Sequence, residues 1–429
     1  MAASDPPPPD GVVRTADGTP LKLKLRQTLR REQLKAVGLI APLFLFILIS
    51  FLLPIGAVLT NAFYDPDIAE NMPATVVALR GWDGLDVPDE AAFAALAADF
   101  KAAHVARKSA LIGKRLNYEV FALKSKVTVT ARKLDKISEG PWKEAVIGID
   151  PVWGNVETWA AIKRASASFT PFYLLNVLDM KLGTDGALQR VSDDRAIYLQ
   201  ILTRTLGISL LVTLLTLLLG YPVAFMLATL PQRTASLLMI MVLLPFWTSI
   251  LVRTTAWSIL LQDGGVVTDF MGVSGVTWLL NATGLMEGEP QLYKTRIATV
   301  LAMTHIQLPF TLLPIYSVMK TISPTYMRAA KSLGAKPAYA FVRVYMPQTL
   351  PGVAAGCLLT FILSLGYYIT PALVGGPTDN MIAGFIDSAM NFEYNWGKAS
   401  ALGTVLLSAT LILYYVYNRL VGIDKMKLG

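Results

Sequence analysis

Residues 320–352 read KTISPTYMRAAKSLGAKPAYAFVRVYMPQTLPG, and this stretch contains clear local signals for the start and end of a short helix. Ser323 followed by Pro324 is typical of a helix start, because the hydroxyl can accept from an unpaired backbone N–H and proline loses no hydrogen bond in the first turn. Gly334 suits the left-handed residue that closes a helix. The pattern predicts a helix of about ten residues, roughly 15 Å long, and Pro337 can open a second one.

The predicted helix offers a surface that another protein could approach. Tyr326, Ala330 and Leu333 fall on one of its faces, and the small side chains of Ala329 and Ala330 leave its backbone accessible. The stretch from 320 to 352 contains five basic and no acidic side chains, which suits an acidic groove on a partner. The alternative is a solvated basic loop.

Apolar segments long enough to cross a bilayer flank this loop and recur along the chain. A helix needs about 20 residues to span a hydrocarbon core of roughly 30 Å. Of the 429 residues, 54% are hydrophobic and only 16% are charged, which is typical of an integral membrane protein. Six segments qualify: Ala36–Thr60, Thr205–Leu230, Ala235–Leu261, Ile297–Met319, about 350–373 and Ala399–Tyr417.

The basic residues predict the orientation, because positively charged short flanks resist translocation. With an inside N-terminus, the cytoplasmic pieces hold 16 basic and 5 acidic residues; they are 1–35, the turn at Arg233, 320–349 and 418–429. The outward loops 262–296 and 374–398 hold three basic and seven acidic residues. Both termini are therefore expected in the cytoplasm. The basic residues gather beside apolar spans, so a nucleic-acid partner is not expected.

Residues 61–195 form a polar insertion with 17 basic and 18 acidic side chains. Its apolar spacing predicts a helix from Asp89 to about Leu116 and shorter elements near 120–137 and 156–167, separated by prolines. No catalytic constellation is found in it. A docking platform or a packed extension of the membrane core is expected. Residues 1–20 are expected to be disordered, and 22–35 to be a topology-setting flank or an amphipathic segment along anionic head groups.

The chain lacks the residues that several classes of protein require. Cys357 is the single cysteine, and His104 and His305 are the only histidines, so neither an intrachain disulfide nor a Cys/His metal cluster can form. No G-K-S or G-K-T phosphate loop occurs. Apart from His305 and Arg253, the spans lack the ionisable residues that ion-coupled carriers use. No catalytic, metal or cofactor residue is therefore expected, and a partner would have to hydrolyse any ATP.

Residues 328–347 resemble the signature loop of binding-protein-dependent ABC importer permeases, usually written E-A-A, three residues, G, nine residues, I-x-L-P. Ala329, Ala330 and Gly334 stand at the matching places, and Val344, Met346 and Pro347 match the second half of the motif. Arg328 replaces the usual glutamate. The resemblance covers about residues 196–420.

The resemblance implies a type I ABC permease fold, all-α with six transmembrane helices and a large periplasmic insertion between the first two, in a bacterial inner membrane. Implied partners are ABC ATPase subunits that bind ATP and Mg, a second homologous permease and a periplasmic substrate-binding protein. The residues implied for ATPase coupling are Arg328, Ala329, Ala330, Lys331, Gly334 and Lys336. The implied organisation is a tail 1–35, a span 36–60, an insertion 61–195, a core 196–420 with its loop 320–349, and a tail 421–429.

Within that family, Leu244–Trp257 and Leu365–Gly376 are similar to spans of the spermidine/putrescine-type permease subunit. A polyamine substrate is the implied expectation, with an opine, an amino acid or another nitrogenous solute as alternatives and an ion-coupled secondary transporter as a weaker one. Trp247, Tyr367 and Tyr368 could offer aromatic faces to an ammonium group along the path. Aromatic residues of membrane helices also commonly pack or anchor at the interface.

Overall fold

The computed structural model describes residues 21–183, 186–193, 196–283 and 291–421. The chain divides into two compact units, with the boundary between Thr60 and Asn61. The prediction for residues 1–20, and nearly all of that for the tail 421–429, lie outside the described residues.

The described part of the first unit, residues 21–60, is a nearly continuous helix. It consists of α1 (Leu21–Ile47), a π-helical turn (Leu48–Leu52) and α2 (Leu53–Thr60). The wider turn ends two residues before Pro54, which lacks the N–H that a regular helix would use. The predicted span 36–60 is thus the C-terminal part of a longer helix that also includes the basic flank.

The insertion folds into short helices and one hairpin. Asp89 accepts from the N–H of Ala92 at 3.1 Å, which confirms the predicted helix start. The helix predicted to reach Leu116 is broken in two, because Arg107 adopts a left-handed conformation with φ of 56°. The elements are α3 Asp67–Asn71, α4 Pro73–Ala78, α5 Glu90–Val105, α6 Ser109–Asn117, α7 Leu123–Leu134, α8 Trp142–Ile149, α9 Val156–Ala165, α10 Phe172–Val177, and antiparallel strands β1 Met180–Leu182 and β2 Leu188–Arg190.

An aromatic core stabilises the insertion. Phe93 packs edge-on against Trp159 with ring centroids 4.6 Å apart, and Phe100 packs against Trp153 at 5.3 Å. All four side chains are fully buried. Burial of aromatic groups of this size is a major source of folding free energy, so these residues form a module with its own hydrophobic core.

A buried ion network lies beside this core. Arg115, which is 1% exposed, pairs with Asp65 at 2.5 Å and with Glu119 at 3.1 Å. Glu119 also accepts from Arg164 at 2.8 Å, and the Tyr173 hydroxyl donates to Asp65 at 2.6 Å. Burial raises the pKa of Tyr173, so its hydroxyl stays protonated and remains a donor. The network fixes α6, α9 and α10 relative to one another.

The insertion is also packed on the membrane core. A Cβ placed on Gly397 would lie 2.4 Å from the Tyr173 ring, so only glycine allows this approach. Lys114 donates to the carbonyl of Tyr394 at 2.6 Å. Asp179 accepts from the backbone N–H groups of Tyr198 and Leu199, at 3.1 and 2.8 Å. These contacts match the expectation of a packed extension.

The membrane core contains the remaining long helices. Five helices of the described chain are long and apolar enough to cross a bilayer, or six if one bent pair is counted as a span. The elements are α11 Tyr198–Thr229, α12 Gln232–Leu243, α13 Ile250–Leu261, α14 Val266–Val273, α15 Val276–Ala282, α16 Arg296–Thr321, α17 Thr325–Ser332, α18 Pro337–Ala340, α19 Met346–Leu365, α20 Ile369–Val374, α21 Ile382–Asn391 and α22 Trp396–Val421.

Two predicted spans are wrong in detail. The segment Ala235–Leu261 is not one helix, because the chain bends by 97° after Trp247. Pro245 lacks a backbone N–H, and Ser249 caps the next helix by accepting from Val252 at 3.2 Å. The fifth span was expected over 350–373, but helical structure runs from 337 to 365 through a π-helical turn at Phe341–Tyr345 and stops before α20.

Helices α11, α16 and α19 pack closely through small and hydroxyl-bearing residues. The Thr311 hydroxyl donates to Thr216 at 2.8 Å and lies 2.6 Å from the Thr360 hydroxyl. A Cβ on Gly356 would lie only 2.5 Å from the Thr311 carbonyl oxygen, and one on Gly352 would lie 2.9 Å from that of Pro314. Membrane helices associate through close backbone approach of this kind, because the hydrophobic effect does not bring helices together inside a lipid bilayer.

Gly356→Ala should destabilise the membrane core by about 1–3 kcal/mol, because the added methyl overlaps a backbone oxygen. Gly207→Ala is the matched control on α11, since a Cβ there has no heavy atom within 4 Å. Thermal unfolding of the detergent-solubilised protein measures both. Equal melting temperatures for the two variants would contradict the assigned helix contact.

Arg115→Met should destabilise the insertion by about 3–5 kcal/mol, because Asp65 and Glu119 lose a buried cationic partner. Arg80→Met, at an exposed position, should change stability by less than about 0.5 kcal/mol. Resistance of the insertion to a protease under native conditions is the measurement. Wild-type resistance of the Arg115 variant would show that the network does not hold the module together.

Candidate functional site

Helix α17 is a short, exposed helix between two membrane helices. Its start matches the prediction, since the Ser323 hydroxyl accepts from the Thr325 N–H at 3.3 Å. Its end matches as well: Gly334 has φ of +86°, its N–H bonds to Lys331, and the Ala335 N–H bonds to Ala330. This pair of bonds is a Schellman motif, which requires a left-handed residue that glycine adopts without strain.

The outer surface of α17 combines apolar and basic side chains. Leu333 is 89% exposed and Tyr326 is 54% exposed, so the face predicted from their spacing points away from the protein. Arg328, Lys331 and Lys336 are exposed and make no ion pair within the described residues. A shallow groove beside the helix is lined by Ala330, Leu333, Gly334, Ala335, Lys336, Tyr339 and Val344.

The structure brings together all six residues predicted for coupling. Arg328, Ala329, Lys331, Gly334 and Lys336 are exposed on α17 or in the turn that follows it, and Ala330 is half-buried. A Cβ on Gly334 would have no heavy atom within 4 Å. Glycine is therefore needed there for its backbone conformation, and the space outside it is open to a partner.

The inner surface of α17 is connected to the membrane helices. Met327 packs against a buried cluster that includes Met319 of α16 and Tyr345. Phe341 stacks on Tyr345 with centroids 5.6 Å apart, and Phe225 of α11 packs edge-on against both, at 5.2 and 5.4 Å. A displacement of α17 would therefore be transmitted to α11, α16 and α19 through close-packed side chains.

The three aromatic residues predicted for a path do not form one cluster. Trp247 lies at the bend after α12 and is 80% exposed. Tyr367 packs at a different place, against a buried group that includes Met303 of α16, and Tyr368, 38% exposed, precedes α20. Among the described residues, no ring contact joins Trp247 to either tyrosine.

Two polar contacts, one between α13 and α16 and one between α16 and α19, were missed by the sequence analysis. The Trp257 indole N–H donates to His305 Nδ1 at 3.2 Å, so His305 has a partner on a neighbouring helix. Arg253 lies one turn before Trp257, and its Nε is buried without a hydrogen bond among the described residues. Gln307 accepts from Ser364 at 2.7 Å. The four-residue spacing of Arg253 and Trp257 was the available signal, but nothing in the sequence paired them with α16.

Residues 209–423 match the family described as binding-protein-dependent transport system inner membrane component. The chain belongs to this family and is a predominantly α-helical, multi-pass membrane permease. The match contains α17 and most of the membrane core, whereas the insertion at 61–195 lies outside it.

Individual relatives are permeases as well. The chain is 32% identical over 230 residues to the spermidine/putrescine transport system permease protein PotB of Haemophilus influenzae, covering 53% of this chain and 77% of PotB. It is 32% identical over 225 residues to the inner membrane ABC transporter permease protein YdcU of Escherichia coli, and the match covers 52% of this chain and 71% of YdcU. The structure of a bacterial ABC transporter involved in the import of alginate aligns with 18% sequence identity and a TM-score of 0.39, and the alignment covers 54% of this chain and 80% of the transporter chain.

Proposed function

We propose that this chain is one permease subunit of an ATP-driven importer that takes up a polyamine of the spermidine or putrescine type from a periplasmic binding protein. The observation that carries the proposal is the similarity to PotB across 77% of that relative. The family description, which includes dependence on a binding protein, supports the same mechanism. An opine or an amino acid is the alternative substrate class.

In this proposal α17 is the contact for an ABC ATPase that binds ATP and Mg. Coupling requires that the ATP-bound ATPase favour a different arrangement of the spans than the nucleotide-free form does. Leu333 and Tyr326 supply apolar contact area, and Arg328, Lys331 and Lys336 supply charge. Ala329, Ala330 and Gly334 allow close approach. Arg328 stands where the motif usually has glutamate, so the ATPase surface facing it should be acidic.

The arrangement of the helices supports the proposed orientation. Lys320, at the end of α16, donates to Gln232 at 3.3 Å, so the turn after α11 and the α17 loop lie at the same end of the core. Both carry the basic residues expected on a cytoplasmic side. The proposal places both termini in the cytoplasm and pairs the chain with a second, homologous permease. Trp247, Tyr367 and Tyr368 are proposed to contact the ammonium groups of the substrate as it passes.

Reconstitution tests this function. Proteoliposomes containing both permeases and the ATPase should accumulate radiolabelled spermidine only when ATP and the binding protein are present, and excess putrescine should compete more strongly than a neutral amino acid. Collapse of the proton and sodium gradients should leave uptake unchanged. Accumulation by this chain alone, without an ATPase, would overturn the proposal, and competition by amino acids alone would favour the alternative substrate.

Gly334→Val should reduce ATP-dependent uptake strongly, because a β-branched residue is strained by roughly 1–2 kcal/mol or more in the left-handed conformation. Gly334→Asn is the matched control, since asparagine tolerates this conformation. We expect the asparagine variant to retain most of its uptake with a melting temperature close to that of the wild type, and the valine variant to remain folded with a slightly lower melting temperature. Equal uptake by the two variants would remove the role assigned to the turn.

A further inference from the structure

The loop between α20 and α21, residues 375–381, lies at the end of the membrane core opposite α17. It contacts Arg204 near the start of α11 and Arg296 at the start of α16. Both helices run from this loop towards the α17 end, where Lys320 donates to Gln232. The 26 residues of α16 place the two ends about 39 Å apart. In the proposed orientation this loop is on the outer side.

Asp379 holds the loop to α16. One oxygen of its carboxylate accepts from Arg296 Nε at 2.9 Å, and the other accepts from the Gly376 N–H at 3.1 Å. The Asp379 side chain is 6% exposed, whereas that of Arg296 is 57% exposed. The ion pair therefore joins a buried carboxylate to a guanidinium that remains accessible from outside the protein.

The other side of the loop is held to α11. The Arg204 guanidinium donates to the carbonyl oxygens of Thr378 and Asn380, the latter at 2.5 Å. The buried Thr205 hydroxyl accepts from the N–H of Ile382, the first residue of α21, at 3.0 Å. The loop thus connects the ends of two helices that belong to the closely packed group.

Two glycines let the loop lie directly on α16. A Cβ on Gly375 would lie 2.6 Å from the Thr299 hydroxyl oxygen, and one on Gly376 would lie 2.8 Å from the Lys294 carbonyl oxygen. Thr299 is fully buried. The loop therefore covers Thr299, and a displaced loop would uncover it.

The loop also fixes the less regular part of the core to the regular part. Helix α20 directly precedes the loop and packs on α13, where the hydroxyl oxygens of Thr370 and Thr254 lie 3.1 Å apart. Helix α13 follows the 97° bend, and α19 ends before α20. Asp379 and Arg204 therefore attach a bent segment and a broken one to α11 and α16.

The contacts of the loop are easier to break than those in the middle of the core. Water can replace the hydrogen bonds of a guanidinium and a carboxylate at a helix end, so their net cost of separation is small. The hydroxyl groups of Thr311 and Thr360 are buried between helices and would be left without partners in lipid. A movement that separates helices would therefore begin at the loop.

We propose that Asp379, Arg204 and Arg296 form a latch that holds the outer end of the permease closed and opens in each transport cycle. The inference rests on the proposed function, because an importer must open its path to the two sides in turn. Asp379 is a positioning residue, since it acts on the path through the loop and α20. Opening moves the loop away from α16 together with α20, and the bend before α13 allows that helix to follow.

The test measures whether the loop leaves Thr299. Thr299→Cys, combined with Cys357→Ala, places a single thiol beneath Gly375. The assembled transporter in nanodiscs is treated with a water-soluble maleimide, with and without a non-hydrolysable ATP analogue and the binding protein. The thiol should react at least ~10-fold faster when both are present, as expected for a shift between two populations. A purely structural role of the latch would give the same rate in both states.

Asp379→Asn in the same background should raise the reaction rate of the nucleotide-free transporter several-fold, because the neutral amide loses the ion pair with Arg296. Arg296→Gln removes the same pair from its exposed side and should have the same effect. Asp387→Asn is the matched control, since Asp387 accepts from Asn391 within α21. The control should react at the rate of the parent protein.

Two results would overturn the inference. One is an equal reaction rate of the thiol at position 299 in the two nucleotide states, and the other is an equal rate in the Asp379, Arg296 and Asp387 variants. Failure of the proposed function looks different, because proteoliposomes of the parent transporter would then show no ATP-dependent uptake of spermidine. A wrong latch assignment leaves that uptake intact.

Discussion

The close packing of α11, α16 and α19 is the constraint on which the rest of this permease depends. In a bilayer these helices gain nothing from leaving water, so they are held by van der Waals contact and by hydrogen bonds between them. Gly352 and Gly356 bring α19 against the α16 backbone, and Thr216, Thr311 and Thr360 connect all three helices at one level. The result is a stiff group of helices with little room for a changed side chain.

This stiffness gives α17 its proposed role. Eight residues of helix cannot transmit movement unless they are fixed to something that moves as one body. Met327 and the rings of Phe225, Phe341 and Tyr345 make that connection at one end of the core. The bend after α12 and the break before α20 lie elsewhere in the core, where Pro245 and Gly366 interrupt regular helix. The structure thus separates a closely packed group of three helices from helices that are bent or broken.

The insertion is stabilised by different interactions from those that hold the membrane helices together. Its aromatic core and the buried pair of Arg115 and Asp65 make it a folded module, and the Tyr173 ring on Gly397 joins it to α22. Two of its carboxylates, those of Asp65 and Asp99, are buried and accept hydrogen bonds within the module, so they do not face solvent. Counting charges along the chain does not reveal this, since it treats buried and exposed charges alike.

The sequence by itself determined the membrane class, most of the spans, the capped start of α17, the left-handed Gly334 and the helix start at Asp89, because each depends on local composition or on a few neighbouring residues. Only the tertiary structure decided that Leu333 is exposed, that Trp247 lies apart from Tyr367, that Trp257 reaches His305, and that Asp65 is buried against Arg115. It also showed that the third span bends and that the fifth begins at Pro337. These features depend on which helices meet and at what height, and contacts between residues 48 to 108 positions apart leave no periodic signal in the chain.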